Sequence, residues 1–451
     1  MKKFLALMTA LLMILASLTA CNGDGESGSQ TSGVNDNTSG SSAVGDGLSG
    51  TLNFAFHVSN PATDEIAFYN ALQGFKAKYP GVTVNYVGST SPEEHVNKMK
   101  LAATDGSLPD IFWCLDPVAR ELASAGHLMD LRDFLNAYPD IEAVLPNSME
   151  DACTQDGILY GLPYQVLVTG FWYNKAVFQA NQVEPPTEGM TFEDLLDAVA
   201  VFRSNGVTTI INGAKSPFSV WSFLIAWERF GFSEKIDAIL AGEEKFNNPD
   251  FLRYFEKIDQ LRQAGAFAPN IATNDYGTAC ALFEAGEAAI LDAGQWEANT
   301  TTTQALGEDI GFWWGPTFSD GVGNQEVCMK VPAAPLCVSA DVAKDENRKA
   351  LVYAFFEYYY GPESAELQIE ADTVPVQDVD LSSVDVSDRP AFQAILEALN
   401  KDWISPEVQP DMTVSAAVQN VMYDSLYGVM VGTYTPEQAL QNIDDAMSAE
   451  Q

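Results

Sequence analysis

From Thr51 onward the hydrophobic positions fall in short runs whose period changes at nearly every Gly or Pro. TLNFAF (51–56) has the apolar bias of a strand. In DEIAFYNALQGFKAKYP, Ile66, Tyr69, Leu72 and Phe75 recur at helical spacing until Pro80-Gly81 stops the run. Val82, Val84 and Tyr86 then alternate through VTVNYV, which predicts a second strand. SPEE (91–94) supplies a cap residue, a proline at the first helical position and an acid at the third, and so opens a helix. That helix ends near Asp105-Gly106, and PDIFWCLD follows as a buried strand. A β-α-β-α-β series of this kind predicts a parallel sheet covered by helices.

A second series starts at YGLPYQVLVTGFWYNK (160–175), whose only charge is Lys175. TFEDLLDAVAVFRSNG is a capped helix and VTTII a strand. WSFLIAWERFGF and FLRYFEKIDQLRQAG are helices, and ALFEAGEAAILDAGQW reads as helix, turn and strand. KALVYAFFEYYYG and TPEQALQNIDDAMS complete the pattern as helices, with no internal repeat.

The first fifty residues are of another kind. MKK followed by FLALMTALLMILAS and LTAC (18–21) is a short apolar run ending in small residues before a cysteine. It resembles a bacterial lipoprotein signal. That resemblance implies cleavage of residues 1–20, lipid attachment at Cys21 and anchoring to the outer face of the cell membrane by two acyl chains. Residues 21–50 are Gly, Ser, Asn, Asp and Thr, too polar to fold, and read as a tether. GDGESG (23–28) matches a dinucleotide-loop spacing, but no strand precedes it and no helix follows.

At 451 residues and 47% apolar content, the chain is long enough for two compact units. A net charge of −39 repels phosphate backbones, which excludes nucleic acid as a partner. The remaining cysteines, Cys114, Cys153, Cys280, Cys328 and Cys337, have neither zinc-site nor disulfide-framework spacing. They read as buried apolar residues, with a Cys328–Cys337 bridge left open.

No P-loop, HExxH, GxSxG or EF-hand pattern occurs, and three histidines speak against a metal or Ser-His-Asp site, whereas 62 acidic residues leave a carboxylate pair open, so no metal or cofactor is expected. Among the three histidines, His95 reads as solvated and His127 as a helix C-terminal cap. His57 ends the first strand, where open α/β sheets bind ligands. Tryptophans gather at such ends: Trp113 with Asp116 close behind, Trp221 at a helix start, Trp296 after Gln295, and Trp313-Trp314 before Gly-Pro. Aromatic faces with Asp, Asn and Gln suit the apolar faces and hydroxyls of sugars. Trp227 reads as core, and Trp172 is open between core and wall.

FEAGEAAILDAGQW resembles the F-x-x-G-x-A-A-M-x-x-x-G-x-W segment of the family 1 extracellular solute-binding proteins, the carbohydrate receptors of ABC importers, with Ile290 at the methionine position. FKAKYPGVTVNYV, GSLPDIFW, LASAGHLMDLRDFL, DGILYGLPYQVLVTGFWYNKAVF and TFEDLLDAVAVFRSNGVTTI match that family in order. The resemblance implies an α/β fold of two lobes, each a mostly parallel sheet flanked by helices, joined by crossover hinge strands. It places lobe one at about 51–165 plus 332–362 and lobe two at about 168–330 plus 365–451. It implies a monomeric, non-enzymatic receptor that closes over a sugar and delivers it to ABC permease subunits. Position by position it suggests Trp296, Trp113, Asp116, Tyr164, His57, Asn60, Trp221, Gln295 and Trp314 as ligand contacts. Within YGLPYQVLVTGFWYNK it makes Leu162–Thr169 the crossover, with Phe171 and Tyr173 in the core. Two other readings stay open: a receptor of the same fold for a polyamine or metal ion, and a secreted glycoside hydrolase.

Overall fold

The computed structural model describes residues 47–216 and 218–450. The lipid-attachment signal and most of the tether lie outside them. Among the described residues ten strands form: β1 (Gly50–Phe56), β2 (Val82–Gly88), β3 (Ile111–Trp113), β4 (Thr154–Gln155), β5 (Ile158–Leu159), β6 (Gly161–Asn174), β7 (Thr208–Ile211), β8 (Ala288–Gly294), β9 (Ile310–Trp313) and β10 (Lys330–Val338). β4 and β5 form a small hairpin. The other eight make one mixed sheet of order β2-β1-β3-β10-β6-β8-β7, with β9 also paired to β6. β1, β2 and β3 are mutually parallel, as the first β-α-β-α-β series predicts.

The helices begin where their caps dictate. Ser91 Oγ accepts the Glu94 N–H at the start of Pro92–Asp105, and Gly106 ends that helix in the left-handed region that glycine adopts without strain. Thr191 and Asp194 close a reciprocal capping box at the start of Phe192–Ser204. Leu52, Phe54, Phe56, Phe68, Phe75 and Phe355 fill the first half of the core. Trp227, Tyr254, Phe251 and Phe255 fill the second. Trp172 is fully buried, its indole N–H on Gly294 O at 2.9 Å, so it is core.

β6 joins the two halves. Gly161 to Val168 pair with β10, whereas Thr169 to Asn174 pair with β8 and β9. β10 crosses alongside it, still laddered at Lys330↔Val168. Further on, helix Pro362–Glu370 packs against helix Ile66–Lys78 of the first half, with Lys78 Nζ 3.2 Å from Glu363 Oε2. Helix Pro362–Glu370 thus packs with the first half, in the span where the sequence expects the chain to return to the second.

All five described cysteines are buried and unpaired. The Cys328–Cys337 bridge fails on distance. Cys337 lies deep in β10 and Cys328 two residues before that strand, a separation of roughly 30 Å if extended, against the ~6 Å a disulfide needs.

Candidate functional site

β10 is antiparallel to both β3 and β6, so β3 and β6 run the same way, while β8 runs against β6. The carboxyl ends of β3 and β8 therefore point toward each other along β6. Trp113 is level with Leu336, and Leu336 with Leu162. Gly294 is level with Thr169. The distance along β6 between these levels is roughly 23 Å at ~3.3 Å per residue. Side chains at the two strand ends thus form opposing walls over the crossing segments.

The first wall begins at the end of β1. His57 lies against Trp113, ring centroids 4.2 Å apart at 34°. His57 Nε2 is 3.2 Å from Glu65 Oε1, and the Tyr164 hydroxyl donates to Glu65 Oε2 at 2.9 Å. Tyr164 rises from the crossing part of β6, so one carboxylate gathers the β1 end and the crossover. His95 lies behind Trp113, its Nε2 2.8 Å from Trp113 O. The expectation that His95 is solvated is wrong: it shares the inward helix face with Val96, Met99 and Ala103, and burial pushes it down to about 4. Asp116 is also buried. Its Oδ2 accepts the Ala334 N–H at 3.0 Å, where β10 takes a positive φ of 54°. Burial raises its carboxyl to about 6, with the Ala334 bond opposing.

The second wall is built on the turn after β8. Trp296 is half-buried and meets Trp221 edge-on, at 4.8 Å and 67°. Trp221 in turn contacts Tyr276 and Phe218, each at 5.6 Å. The Trp296 N–H donates to the Tyr276 hydroxyl at 2.8 Å, and that hydroxyl donates to Glu297 Oε1 at 2.5 Å. Glu297 Oε2 accepts from Thr300 Oγ1 at 2.7 Å. The Trp296 N–H is thereby committed to the protein, leaving the exposed ring carbons as the surface it offers. Beneath this wall Asp292 Oδ1 accepts the Ser222 N–H at 2.9 Å and its hydroxyl at 2.7 Å, fixing the first turn of helix Trp221–Glu228. Burial drives the Asp292 carboxyl up to about 8, the Ser222 bonds opposing.

The structure thus groups His57 with the buried Trp113 and Tyr164 at one wall and Trp296 with Trp221 at the other, Asp116 being enclosed behind the first. Asn60 is exposed, just before the short helix Pro61–Asp64. Trp314 is 1% exposed with its indole N–H on Ala398 O, which places it in the core rather than at a wall. Gln295 is enclosed and wholly engaged by backbone groups. Of the two residues assigned to the core, Phe171 is buried and Tyr173 half-buried. Sequence reasoning missed Glu65, Tyr276 and Phe218. A concavity of about 380 Å³ is lined by the 182–190 segment and helix Phe192–Ser204 and includes none of these residues.

The profile described as bacterial extracellular solute-binding protein matches residues 61–366. An uncharacterized ABC transporter extracellular-binding protein of Pyrococcus horikoshii is 26% identical over 243 residues, 51% of this chain and 53% of that one. A second protein of the same description and organism is 25% identical over 252 residues, 53% of this chain and 55% of its own length. The chain thus spans about half the length of the curated relatives it matches. Among solved structures, a chitin oligosaccharide binding protein superposes with a TM-score of 0.74 at 21% identity, covering 89% of this chain and 99% of that one. The GacH receptor of Streptomyces glaucescens, described unliganded and with acarbose, gives 0.71 at 20% identity, covering 89% and 98%. At these identities the structural likeness speaks for the two-lobed α/β fold. The profile match extends over more than half of the sequence, and the chain belongs to the bacterial extracellular solute-binding protein family.

Proposed function

We propose that the protein is the receptor of an ABC importer for a neutral oligosaccharide, held between the two walls. One observation carries this reading: half-buried aromatic faces at the β8 end oppose a polar His57–Glu65–Tyr164 group at the β3 end, across roughly 23 Å spanned by β6 and β10. Sugars present an apolar ring face and a hydroxyl rim, which match these two surfaces. Two proteins of similar structure, the chitin oligosaccharide binding protein and the acarbose-bound GacH receptor, support a carbohydrate. Binding across both walls favours the closed arrangement, and a membrane permease would read that arrangement. The chain performs no chemistry on the sugar. Lobe one is then 51–165 plus 332–370, and lobe two 168–330 plus the residues after 377. A monomer carried at the outer membrane face by lipid on Cys21 completes the proposal.

The test is a thermal-shift panel of xylo-, chito- and malto-oligosaccharides, polyamines and divalent metals on the purified chain. A sugar at a hundred times its Kd should add about 2.7 kcal/mol to the stability. Stabilisation by cations alone would replace the sugar reading with a polyamine or metal receptor. Trp296→Ala should abolish the sugar shift and leave the apo melting curve nearly unchanged.

A further inference from the structure

The residue before Trp296 makes no approach to solvent. Gln295 Nε2 donates to Val166 O at 2.6 Å, in the crossing part of β6. Its Oε1 accepts the Val374 N–H at 2.8 Å, and the same Nε2 is 3.4 Å from Val374 O. One amide side chain, carried at the end of β8, thus holds two separate chain segments. Four residues on, Asn299 Nδ2 donates to Ala371 O at 2.7 Å. The far end of the 371–377 segment is tied to the first half: Gln377 Nε2 donates to Tyr359 O at 2.9 Å. Asp378 N donates to Val144 O at 2.7 Å. Tyr359 and Tyr360 in turn donate to the carbonyls of Tyr164 and Pro163, just upstream on β6.

The 3-10 turn Gln295–Asn299 therefore has two faces. Trp296 and Glu297 point into the aromatic wall through Tyr276. Gln295 and Asn299 point away from it, onto the segments that pass between the halves. A five-residue turn with its side chains fixed on both sides moves as one piece. A shift of Trp296 therefore cannot occur without shifting the partners of Gln295, and the converse holds equally.

We propose that Gln295 is a positioning residue that couples occupancy of the Trp296 wall to the angle between the two halves. This rests on the proposal that a sugar binds there, and goes beyond it by assigning the transmission. Gln295 holds Val166 and Val374 at a fixed spacing from the wall. Without it, a sugar still stacks on Trp296, but stacking no longer biases the crossing segments toward closure.

The test is Gln295→Met, which retains the side-chain volume and removes both hydrogen-bonding ends. Four readouts are compared with wild type on the purified chain: the apo melting curve, small-angle scattering with and without whichever xylo-, chito- or malto-oligosaccharide stabilises wild type, tryptophan fluorescence titration with that sugar, and amide exchange. In the apo variant, exchange should quicken at least tenfold at Val374 while the β8 amides Leu291–Ala293 are unchanged, with the melting temperature within a few degrees of wild type. With the sugar, tryptophan fluorescence should still saturate, at least tenfold weaker, and the sugar-induced compaction of wild type should be lost. Asn299→Ala should give a smaller effect in the same direction. Wild-type compaction and affinity in Gln295→Met would overturn the coupling, and so would general loss of β8 protection. If no sugar in the panel stabilises wild type, the sugar proposal fails on its own. The coupling is then decided by the apo arm, where unchanged exchange at Val374 and an unchanged scattering profile would sink it.

Discussion

Replacement of Asp292 by Asn should make the protein more stable at neutral pH and leave it unchanged in acid. Asp292 is fully buried on β8. One oxygen takes both bonds from Ser222, and the other has no protein partner. Burial raises its carboxyl from 3.8 to about 8. The folded state therefore keeps a proton that the unfolded chain releases, and stability falls as pH rises from about 4 to about 8. Each pH unit in that window is worth at most ~1.4 kcal/mol, so the interval from pH 5 to pH 7 costs no more than about 3 kcal/mol. An unfolding entropy of ~2.1 cal/mol/K per residue over roughly 400 residues converts this to a few degrees of melting temperature. Asn keeps the acceptor for Ser222 and cannot ionise. Its NH2 stands where the protonated carboxyl would place an equally unpartnered O–H, so the two proteins should coincide only below about pH 4, where the unfolded chain is protonated too. Above that pH, calorimetry from pH 5 to 8 should show D292N melting progressively higher than wild type. A difference that does not change with pH would refute the reasoning, because Asp292 would then be ionised in the folded protein throughout.

The other buried carboxyls extend the same logic. Asp116 at about 6 and Glu228 at about 7 are both raised chiefly by burial, so wild type should gain further stability on acidification below about pH 7 through Glu228 and below about pH 6 through Asp116, read by the same scans. Tyr276→Phe removes the acceptor of the Trp296 N–H and the donor to Glu297. Sugar affinity should fall several-fold by titration calorimetry while the apo protein loses ~1 kcal/mol. Gly213→Ala would place a Cβ 2.5 Å from the Asp275 carbonyl carbon and 2.6 Å from the Tyr276 nitrogen. It should destabilise by about 1–3 kcal/mol in denaturant unfolding and weaken binding by displacing Tyr276. An unaffected G213A variant would mean that the backbone there yields freely.

Much of the fold was legible because local signals agreed. Ser91 and Thr191 cap where their sequences say, and the change of partner along β6 falls at the end of the expected crossover, between Val168 and Thr169. The aromatic strand ends Trp113 and Trp296 were likewise visible, as tryptophans following apolar runs. Glu65 was not, because one carboxylate among 62 acidic residues carries no signal until the fold sets it between His57 and Tyr164. Tyr276 was hidden because its partners, Trp296 and Trp221, lie 20 and 55 residues away in sequence. The Asp275 cap beside it was the one available pointer to a helix start at the site. His95 misled through its charged neighbours, although the spacing of 95, 96, 99 and 103 marks an inward face. Gln295 was assigned to the ligand contacts by the family resemblance, whereas in the turn after β8 it faces Val166 and Val374, opposite to Trp296.

The ladder between β6 and β10 runs through the crossing itself, from Gly161↔Cys337 to Val168↔Lys330. Two hydrogen-bonded strands form a ribbon that is stiff against sliding and splaying but compliant to bending across its plane. Relative travel of the halves is thereby reduced from six rigid-body degrees of freedom toward one. An axis so defined makes the closed geometry reproducible, so the same residues of the two walls meet in every cycle. The cost of bringing them together is then a single soft mode rather than a search.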